Sequence, residues 1–454
     1  MKTYFLQFKV VPTLDNEQYE LVEGALASCW VLDNTPQAAH TKANFRISMF
    51  DWEINTLEME PVEVEEGDFV ERDIGLEQFK RAQVDGMAIV YTAWARDKKT
   101  LMGPISLKSS YKSNLQGSLD DLKKQRDRGR CLHFDGDHRC REIIKAHSIQ
   151  KQGLLAVIAQ NNHVYTLAAE MSDLRKNAGL PIYKKESIYK VSSFRGFCKF
   201  HDNKLFEAID NNDLMPTDQQ VLLYAYRSLA RELFVKENAF NHLEYRLEKT
   251  EHRFLRQFFL DYKAATEFSL NNLRRHKLLY DNSLKSKSYH DIRYVLFLSN
   301  KKPTMAFSGL LYPDFDFMGR ALQDLGNHEE QLELITFCSA PMISGWGYLF
   351  AWHKTSSNIC TDYMRSLATM MYQGYNVSDI LFRMVIINCE NCAISPEWWE
   401  SLEEEQREEV AAAGASNTYP YTPMKNTYLS EGVDGISGWH FANIMSNMEL
   451  GRSD

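Results

Sequence analysis

Apolar and polar residues alternate in some stretches of the chain and recur at helical spacing in others, so the pattern predicts a mixture of strands and helices. In the N-terminal region, Thr35 is suited to cap a helix that begins at Pro36. The strands predicted there cover 4–11, 20–32, 50–57 and 86–94, and the helices cover 36–46 and 75–85. We therefore expect an N-terminal α+β domain over residues 1–110.

The longest helical pattern runs from Thr217 to Asn282 and contains no proline. A continuous helix of that length would be about 90 Å long, more than a domain of this size can cover. One alternative is a break near Glu237-Asn238, so that two helices pack as a hairpin in a monomer. The other is pairing with a second copy in a homodimer. The apolar stripe is not a regular heptad, which favours the hairpin. We assign residues 217–288 to this helical segment.

Beyond residue 289 the pattern returns to strands and shorter helices. The predicted strands cover 292–298, 304–310, 332–337 and 348–352, and the predicted helices cover 317–325 and 358–374, with another helix starting at Ser395-Pro396-Glu397. A second α+β domain is expected over 289–410. The tail over 411–454 is rich in turn-forming residues and is expected to wrap irregularly over the body.

Between the two α+β regions lies a polar, basic linker over 111–130, with a short helix predicted at 118–126. The middle region over 131–216 follows, with a helix or buried turn at 152–159 and a strand at 163–168. Within 172–190 a helix is predicted to end near Gly179-Leu180-Pro181, with an exposed loop beyond it. The overall prediction is a multi-domain α+β protein.

Composition places the chain among ordinary globular proteins. It has 454 residues, with 44% hydrophobic and 25% charged residues, and that length predicts several domains. The N-terminus alternates and lacks the apolar block of a signal peptide, and no apolar run is long enough to span a membrane. We therefore expect a cytoplasmic protein without a membrane partner. In that compartment its eight cysteines are expected to be thiols or metal ligands.

The formal net charge of −9 argues against a surface that binds nucleic acid throughout, but it allows a local basic face. Such a face is available at the end of the linker, although a solvated loop is the commoner meaning of a basic run. The candidate nucleic-acid contacts are Lys123, Lys124, Arg126, Arg128 and Arg130.

Two Cys/His pairs in the middle region have the chemistry of one tetrahedral zinc site. Cys140 and His147 form the first pair, and Cys198 and His201 form the second, tighter pair. Either Cys131 or His138 can replace a member of the first pair. The alternative is that the cysteines are buried thiols and the histidines lie on a polar surface.

The middle region also resembles a known family. The order Ala146-His147-Ser148-Ile149-Gln150, Asn162-His163, Phe197-Cys198 and His201-Asp202-Asn203 resembles the arrangement in HNH-type, treble-clef zinc nucleases. The stretch also resembles uncharacterised bacterial proteins that share an AHSIQ and GFC-x2-HD pairing, and this resemblance implies a role in defence against phage. The resemblance covers about residues 131–206.

This resemblance implies a treble-clef-like zinc region and a catalytic Mg²⁺ or Mn²⁺ ion. His147 would be the general base, and Asp202 would help to hold the divalent ion together with Asn162 or His163. The sequence departs from the family pattern, since Gln150 replaces a proline and Asp202 replaces a metal-binding histidine. If His147 is a zinc ligand, only His163 and Asp202 remain for catalysis.

The leading hypothesis is therefore a zinc-containing HNH-like nuclease or nucleic-acid-binding protein of bacterial anti-phage defence. The alternative is a non-catalytic sensor or scaffold, stapled by zinc, that binds a protein partner.

Three further patterns are weaker. Cys389-x2-Cys392 can bind metal together with Cys338 and Cys360, although structural thiols are the favoured interpretation. Arg246-x5-His252 has the spacing of some helical ribonucleases. Asp314 and Asp316 lie in a turn that either holds Mg²⁺ or is simply solvated.

Overall fold

The computed structural model of the protein describes residues 2–16, 18–69, 73–96, 128–136, 140–168, 182–249, 253–416 and 425–448. It is 43% helical and 29% strand, which confirms the mixed α+β class. Within the described residues, no helix is long and apolar enough to cross a membrane.

The N-terminal region forms one antiparallel sheet with a helix on each face. Its elements are β1 (Lys2–Pro12), β2 (Val22–Asp33), α1 (Pro36–Ser48), β3 (Trp52–Val64), α2 (Asp73–Asp85) and β4 (Met87–Ala95), in the sheet order β3-β1-β2-β4. Alternate residues of β1 point to opposite faces, so Leu6 packs in the core with α1 and Phe5 packs in the core with α2. The side chain of Thr35 accepts a hydrogen bond from the backbone N–H of Ala38 and caps α1 as predicted.

The middle region contributes a short strand pair followed by a helix. Its elements are β5 (Ile143–His147), a helical segment over Lys151–Leu155 and Ala156–Ile158, β6 (His163–Ala168), β7 (Ile182–Ser187), β8 (Ser193–Cys198) and α3 (Lys199–Asp210). β5 pairs antiparallel with β8, and α3 follows β8 directly. The exposed loop predicted beyond Pro181 is wrong, because Ile182–Ser187 pairs with β6 as a strand. Residues 172–181 and the predicted helix 118–126 lie outside the described residues.

The long helical pattern forms two helices, α4 (Asp218–Lys249) and α5 (Arg253–Ser286). They pack side by side and antiparallel: Tyr226 donates to Asp281 at 2.8 Å and Glu237 pairs with Arg274 at 3.2 Å. The hairpin was expected, but its predicted break near Glu237-Asn238 is wrong, because α4 continues through these residues.

The C-terminal part adds most of the strands. Its elements are β9 (Ile292–Ser299), β10 (Met305–Leu311), β11 (Ile335–Met342), β12 (Gly345–His353), α6 (Ser357–Tyr372), α7 (Val377–Asn388), β13 (Cys392–Ile394), α8 (Pro396–Ser401), α9 (Glu404–Ala415) and β14 (Asn443–Ser446). The predicted helix over 317–325 is absent. Asp316 accepts hydrogen bonds there from the backbone N–H groups of Met318 and Arg320 and holds a turn, and Gly319 has φ of +80°.

An eight-stranded sheet joins these regions in the order β14-β9-β12-β11-β10-β13-β6-β7. The α4–α5 hairpin covers one face, where Leu229 packs with Cys338, and α6 and α7 cover the other, where Tyr363 packs with Phe337. Because β6 and β7 come from the middle region and β14 from the tail, the predicted boundaries at 216, 288 and 410 do not separate independent cores.

Candidate metal centre and the adjoining histidine site

Four potential metal ligands converge at the junction of β8 and α3. Cys131, Cys140, Cys198 and His201 place one ligand atom each within 4.8 Å of all the others. The three Sγ atoms lie 3.4, 3.3 and 3.3 Å from Nδ1 of His201. Tetrahedral coordination with metal–sulfur bonds of about 2.3 Å and metal–nitrogen bonds of about 2.0 Å would place sulfur and nitrogen roughly 3.5 Å apart. The cluster therefore has the size and donor set of a four-coordinate metal site.

Backbone pairing brings the four ligands together. Cys198 ends β8, and His201 lies in the first turn of α3. The segment that carries Cys131 runs beside β8, since the N–H of Leu132 donates to the carbonyl of Gly196 at 2.8 Å. Cys140 lies just before β5, whose first residue, Ile143, pairs with Cys198.

Aromatic rings hold the His201 imidazole in place. His133 stacks on it with a centroid separation of 4.0 Å and an interplanar angle of 2°, and Phe200 meets it edge-on at 5.2 Å. Burial raises the pKa of the Cys131 thiol to about 12. A bound cation would offset that effect, since metal binding favours the thiolate.

The predicted ligand set needs one correction. Cys140, Cys198 and His201 belong to the cluster, but His147 does not, and Cys131 takes the fourth position. His147 pairs with Ser193 at the far end of β5, and an extended strand rises about 3.3 Å per residue. The strand therefore carries His147 roughly 15 Å from the Cys198 end. His138 lies outside the described residues.

His147 is instead held as a neutral imidazole. Its Nδ1 lies 3.1 Å from the carbonyl oxygen of Val191, so Nδ1–H donates and Nε2 keeps its lone pair. Burial lowers the pKa of His147, and the positive charges of Lys151 and Arg227 lower it further. At neutral pH this ring is uncharged and able to accept a proton.

An ion pair between a buried arginine and an exposed aspartate lies at the C-terminal end of α3, close enough to His147 to influence its pKa. Arg227 of α4 donates from Nη1 to Oδ1 of Asp210 at 2.7 Å, and its guanidinium lies over the ring of Phe206 at 4.0 Å. Gln150 donates to the carbonyl of Ile209 and so ties the loop after His147 to this end of the helix. The sequence analysis did not identify three residues of this site, Lys151, Asp210 and Arg227. The only sequence signal for any of them is that Lys151 lies four positions after His147.

The two other predicted catalytic residues lie elsewhere. Asp202 is in the first turn of α3, about 12 Å along the helix axis from Asp210. It is 9% exposed, and its Oδ1 has no hydrogen-bond partner among the residues that the structure describes. Burial raises its pKa to about 6. His163 is exposed and donates to the carbonyl of Asn161 at 2.7 Å, within its own turn.

Among the basic residues proposed to contact nucleic acid, Arg130 makes its contacts within the protein. It forms an ion pair with Glu237 and lies over the ring of Phe234 at 4.9 Å. Arg128 is exposed. Lys123, Lys124 and Arg126 lie outside the described residues.

The weaker patterns show structural roles where they can be checked. Cys338, Cys360, Cys389 and Cys392 are all buried and lie outside the ligand cluster found in the described chain. Arg246 lies over Phe259 at 5.3 Å, while His252 is outside the described residues.

Comparison of the chain with protein-family models, curated proteins and solved structures finds no match. Its function is therefore inferred from the cluster, the histidine site and the surfaces around them.

Proposed function

We propose that this chain is a zinc-containing, HNH-like nuclease in which the cluster binds Zn²⁺ structurally and His147 is the general base. The observation that supports this most directly is that His147 lies outside the cluster but on the same strand–strand–helix unit. A residue cannot readily serve as both zinc ligand and general base. Because Cys131 takes the fourth ligand position, His147 remains available to act as the base. A role in defence against phage is part of the proposal and rests on the family resemblance alone.

Zinc suits the cluster because thiolate and imidazole are its usual protein donors. With four protein ligands the site is closed, as in structural zinc sites, and leaves no position for a catalytic water. Its role would be to join the segments around Cys131 and Cys140 to the start of α3.

The chemistry would occur at the other end of α3. His147 would take a proton from water at Nε2, while Val191 holds the opposite side of the ring. Lys151 would attract a phosphodiester group, and Arg227, which is buried and paired with Asp210, would hold that carboxylate in place. Asp210 is the carboxylate beside these groups, so we place the Mg²⁺ or Mn²⁺ ion there and not at Asp202; when bound, that ion would neutralise charge on the phosphate oxygens.

The alternative function is a zinc-stapled scaffold that binds a protein partner. It is favoured by one observation: Asp210 already pairs with Arg227, as in a purely structural ion pair. Under this alternative the chain cleaves nothing, and loss of His147 has no chemical consequence.

Cleavage assays distinguish the two. Plasmid DNA, single-stranded DNA and RNA are incubated with the zinc-loaded protein and either Mg²⁺ or Mn²⁺. We expect His147→Ala to lower the cleavage rate by about 100-fold or more, the usual contribution of a general base. His163→Ala, which changes an exposed histidine, should cleave like wild type.

Asp210→Asn tests the placement of the divalent ion, with Asp202→Asn as its matched control on the same helix. The first should raise the Mg²⁺ concentration needed for cleavage, and the second should not. If the wild-type protein cleaves none of these substrates, the nuclease proposal is wrong and the scaffold function replaces it.

A further inference from the structure

A solvent-filled groove of about 790 Å³ runs along the outer face of α3. Lys199, Asn203 and Glu207 of α3 line it and recur every four positions on one face of the helix, and Asn211, at the C-terminal cap, continues the same spacing. The groove therefore extends for about 18 Å, from the metal centre to the end of the helix. We call it the α3 groove.

The metal-centre end of the groove presents an aromatic ring to solvent. Phe200 lines the groove, is 42% exposed and meets the imidazole of His201 edge-on at 5.2 Å. The ammonium group of Lys204 lies 5.8 Å from the centre of the same ring. Since His201 belongs to the ligand cluster, the ring of Phe200 packs directly beside the candidate metal centre. An exposed aromatic face beside a cation is what stacks an unpaired base in single-strand binding proteins.

Among the residues that the structure describes, three cations and three carboxylates line the groove, and Arg227 behind it adds a fourth cation, whereas the whole chain has a formal net charge of −9. Arg141, Lys199 and Lys204 line it. Two of its three carboxylates have cationic partners: Glu142 lies 3.8 Å from the ammonium group of Lys199, and Asp210 is paired with Arg227. The third carboxylate is that of Glu207. Lysine and arginine side chains on such a groove can follow a phosphate backbone.

The far end of the groove reaches the histidine site. Asp210 lines it there, and the same carboxylate bonds Arg227 at 2.7 Å. Gln150, three residues after His147, is tied to the neighbouring carbonyl of Ile209. A chain lying in the groove from Phe200 onward would be led towards His147.

We propose that the α3 groove binds single-stranded nucleic acid, with a base stacked on Phe200 and phosphates near Arg141 and Lys204. This rests on the proposed function, because it names the form of nucleic acid that reaches His147. A duplex offers no unpaired base face to Phe200, since its bases are stacked on one another.

Fluorescence anisotropy tests the proposal with a labelled 12-nucleotide single strand and a blunt-ended duplex formed from the same strand and its complement, on the zinc-loaded full chain without Mg²⁺ or Mn²⁺. We expect Phe200→Ala to weaken single-strand binding by roughly 5- to 100-fold, the usual effect of removing one stacking residue. Phe200→Tyr, which keeps the ring, should bind within about twofold of wild type. The matched control is Phe50→Ala, because Phe50 is also exposed and lies under the cation of Arg46 at 5.1 Å; it should bind normally.

Lys204→Glu provides a second variant, because Phe200 touches the candidate metal ligand His201 and its replacement is expected to lower the zinc content. This variant should weaken binding and reduce the dependence of affinity on salt. Equal affinity for the duplex, or unchanged affinity in both Phe200→Ala and Lys204→Glu, would overturn the proposal.

The two proposals fail differently. If Phe200→Ala weakens binding but no substrate is cleaved, the groove stands and the nuclease proposal falls. If His147→Ala abolishes cleavage while Phe200→Ala binds the single strand normally, the nuclease proposal stands and the groove falls.

Discussion

At the scale of single residues, the environment of each histidine decides its charge. His276 is 1% exposed, and its Nε2 donates to the carbonyl of Leu332 at 2.8 Å. Burial lowers its pKa to about 4, and the nearby charges of Arg275 and His353 act in the same direction. The folded protein therefore keeps this ring neutral where the unfolded chain, with a pKa near 6.5, would take up a proton.

The sign of the resulting pH dependence follows from linkage. Because the pKa in the folded state is the lower one, His276 contributes stability above about pH 6.5 and loses it as the pH falls towards 4. The loss should approach about 3 kcal/mol at the lower limit. Urea unfolding of wild type and His276→Gln between pH 7 and pH 4.5 measures it. We expect the difference in the free energy of unfolding between the two proteins to change with pH, and parallel curves would contradict the assignment.

A second prediction at this scale concerns the identity of the fourth metal ligand. Cys131→Ser should reduce zinc in the purified protein from about one ion per chain to well below that, because the cluster loses a thiolate. His147→Gln should retain its zinc. Elemental analysis of both variants, with buried Cys389→Ser as a control that also retains the metal, checks this. Zinc lost from His147→Gln and kept in Cys131→Ser would restore the ligand set expected from the sequence.

At the scale of elements, a buried network positions the loop that follows His147. Ser192 has a positive φ of 62°, and its hydroxyl lies 2.7 Å from that of Ser148. Asn391, from the C-terminal part, donates from Nδ2 to Ser148 Oγ and to the carbonyl of Ser308, both at 2.8 Å. One amide thus links the histidine site to β10.

Asn391→Ala should lower the free energy of unfolding by about 1–3 kcal/mol, because buried hydrogen-bonding groups lose their partner. Asn212→Ala removes an exposed amide with one long hydrogen bond of 3.4 Å and should have little effect. Urea unfolding gives both values. If the two variants lose equal stability, the network does not position this loop.

At the scale of the whole molecule, the tail is part of the main core. Trp439 is 7% exposed, packs against Phe307 and Trp346, and donates from Nε1 to Thr304 at 2.8 Å. The β14 strand extends the sheet by pairing with β9. The tail therefore shares its buried contacts with residues more than ninety positions earlier.

Trp439→Ala should cost about 3–5 kcal/mol of unfolding free energy, the usual loss for a large buried aromatic residue. Tyr372→Ala, at a residue that is 94% exposed, should change it little. Thermal and urea unfolding of both variants would show this, and a small effect at Trp439 would mean that the tail folds separately.

The sequence by itself determined most of the periodic elements and the region of the metal centre. The patterns behind β1, α1 and the α4–α5 hairpin are local, because the side chains that must be buried repeat at the period of the element that buries them. Cys140, Cys198 and His201 were found because thiols and imidazoles concentrate in one stretch of chain.

Only the tertiary structure decided which residues meet. Cys131 replaces His147 in the cluster because β5 is extended and carries His147 away, and Arg227 reaches Asp210 because α4 packs beside α3. The strand β7 depends on its pairing with β6, which no local pattern identifies. Contacts between distant segments are set by how sheets and helices pack against one another. The periodic pattern of apolar residues along the sequence does not identify those contacts.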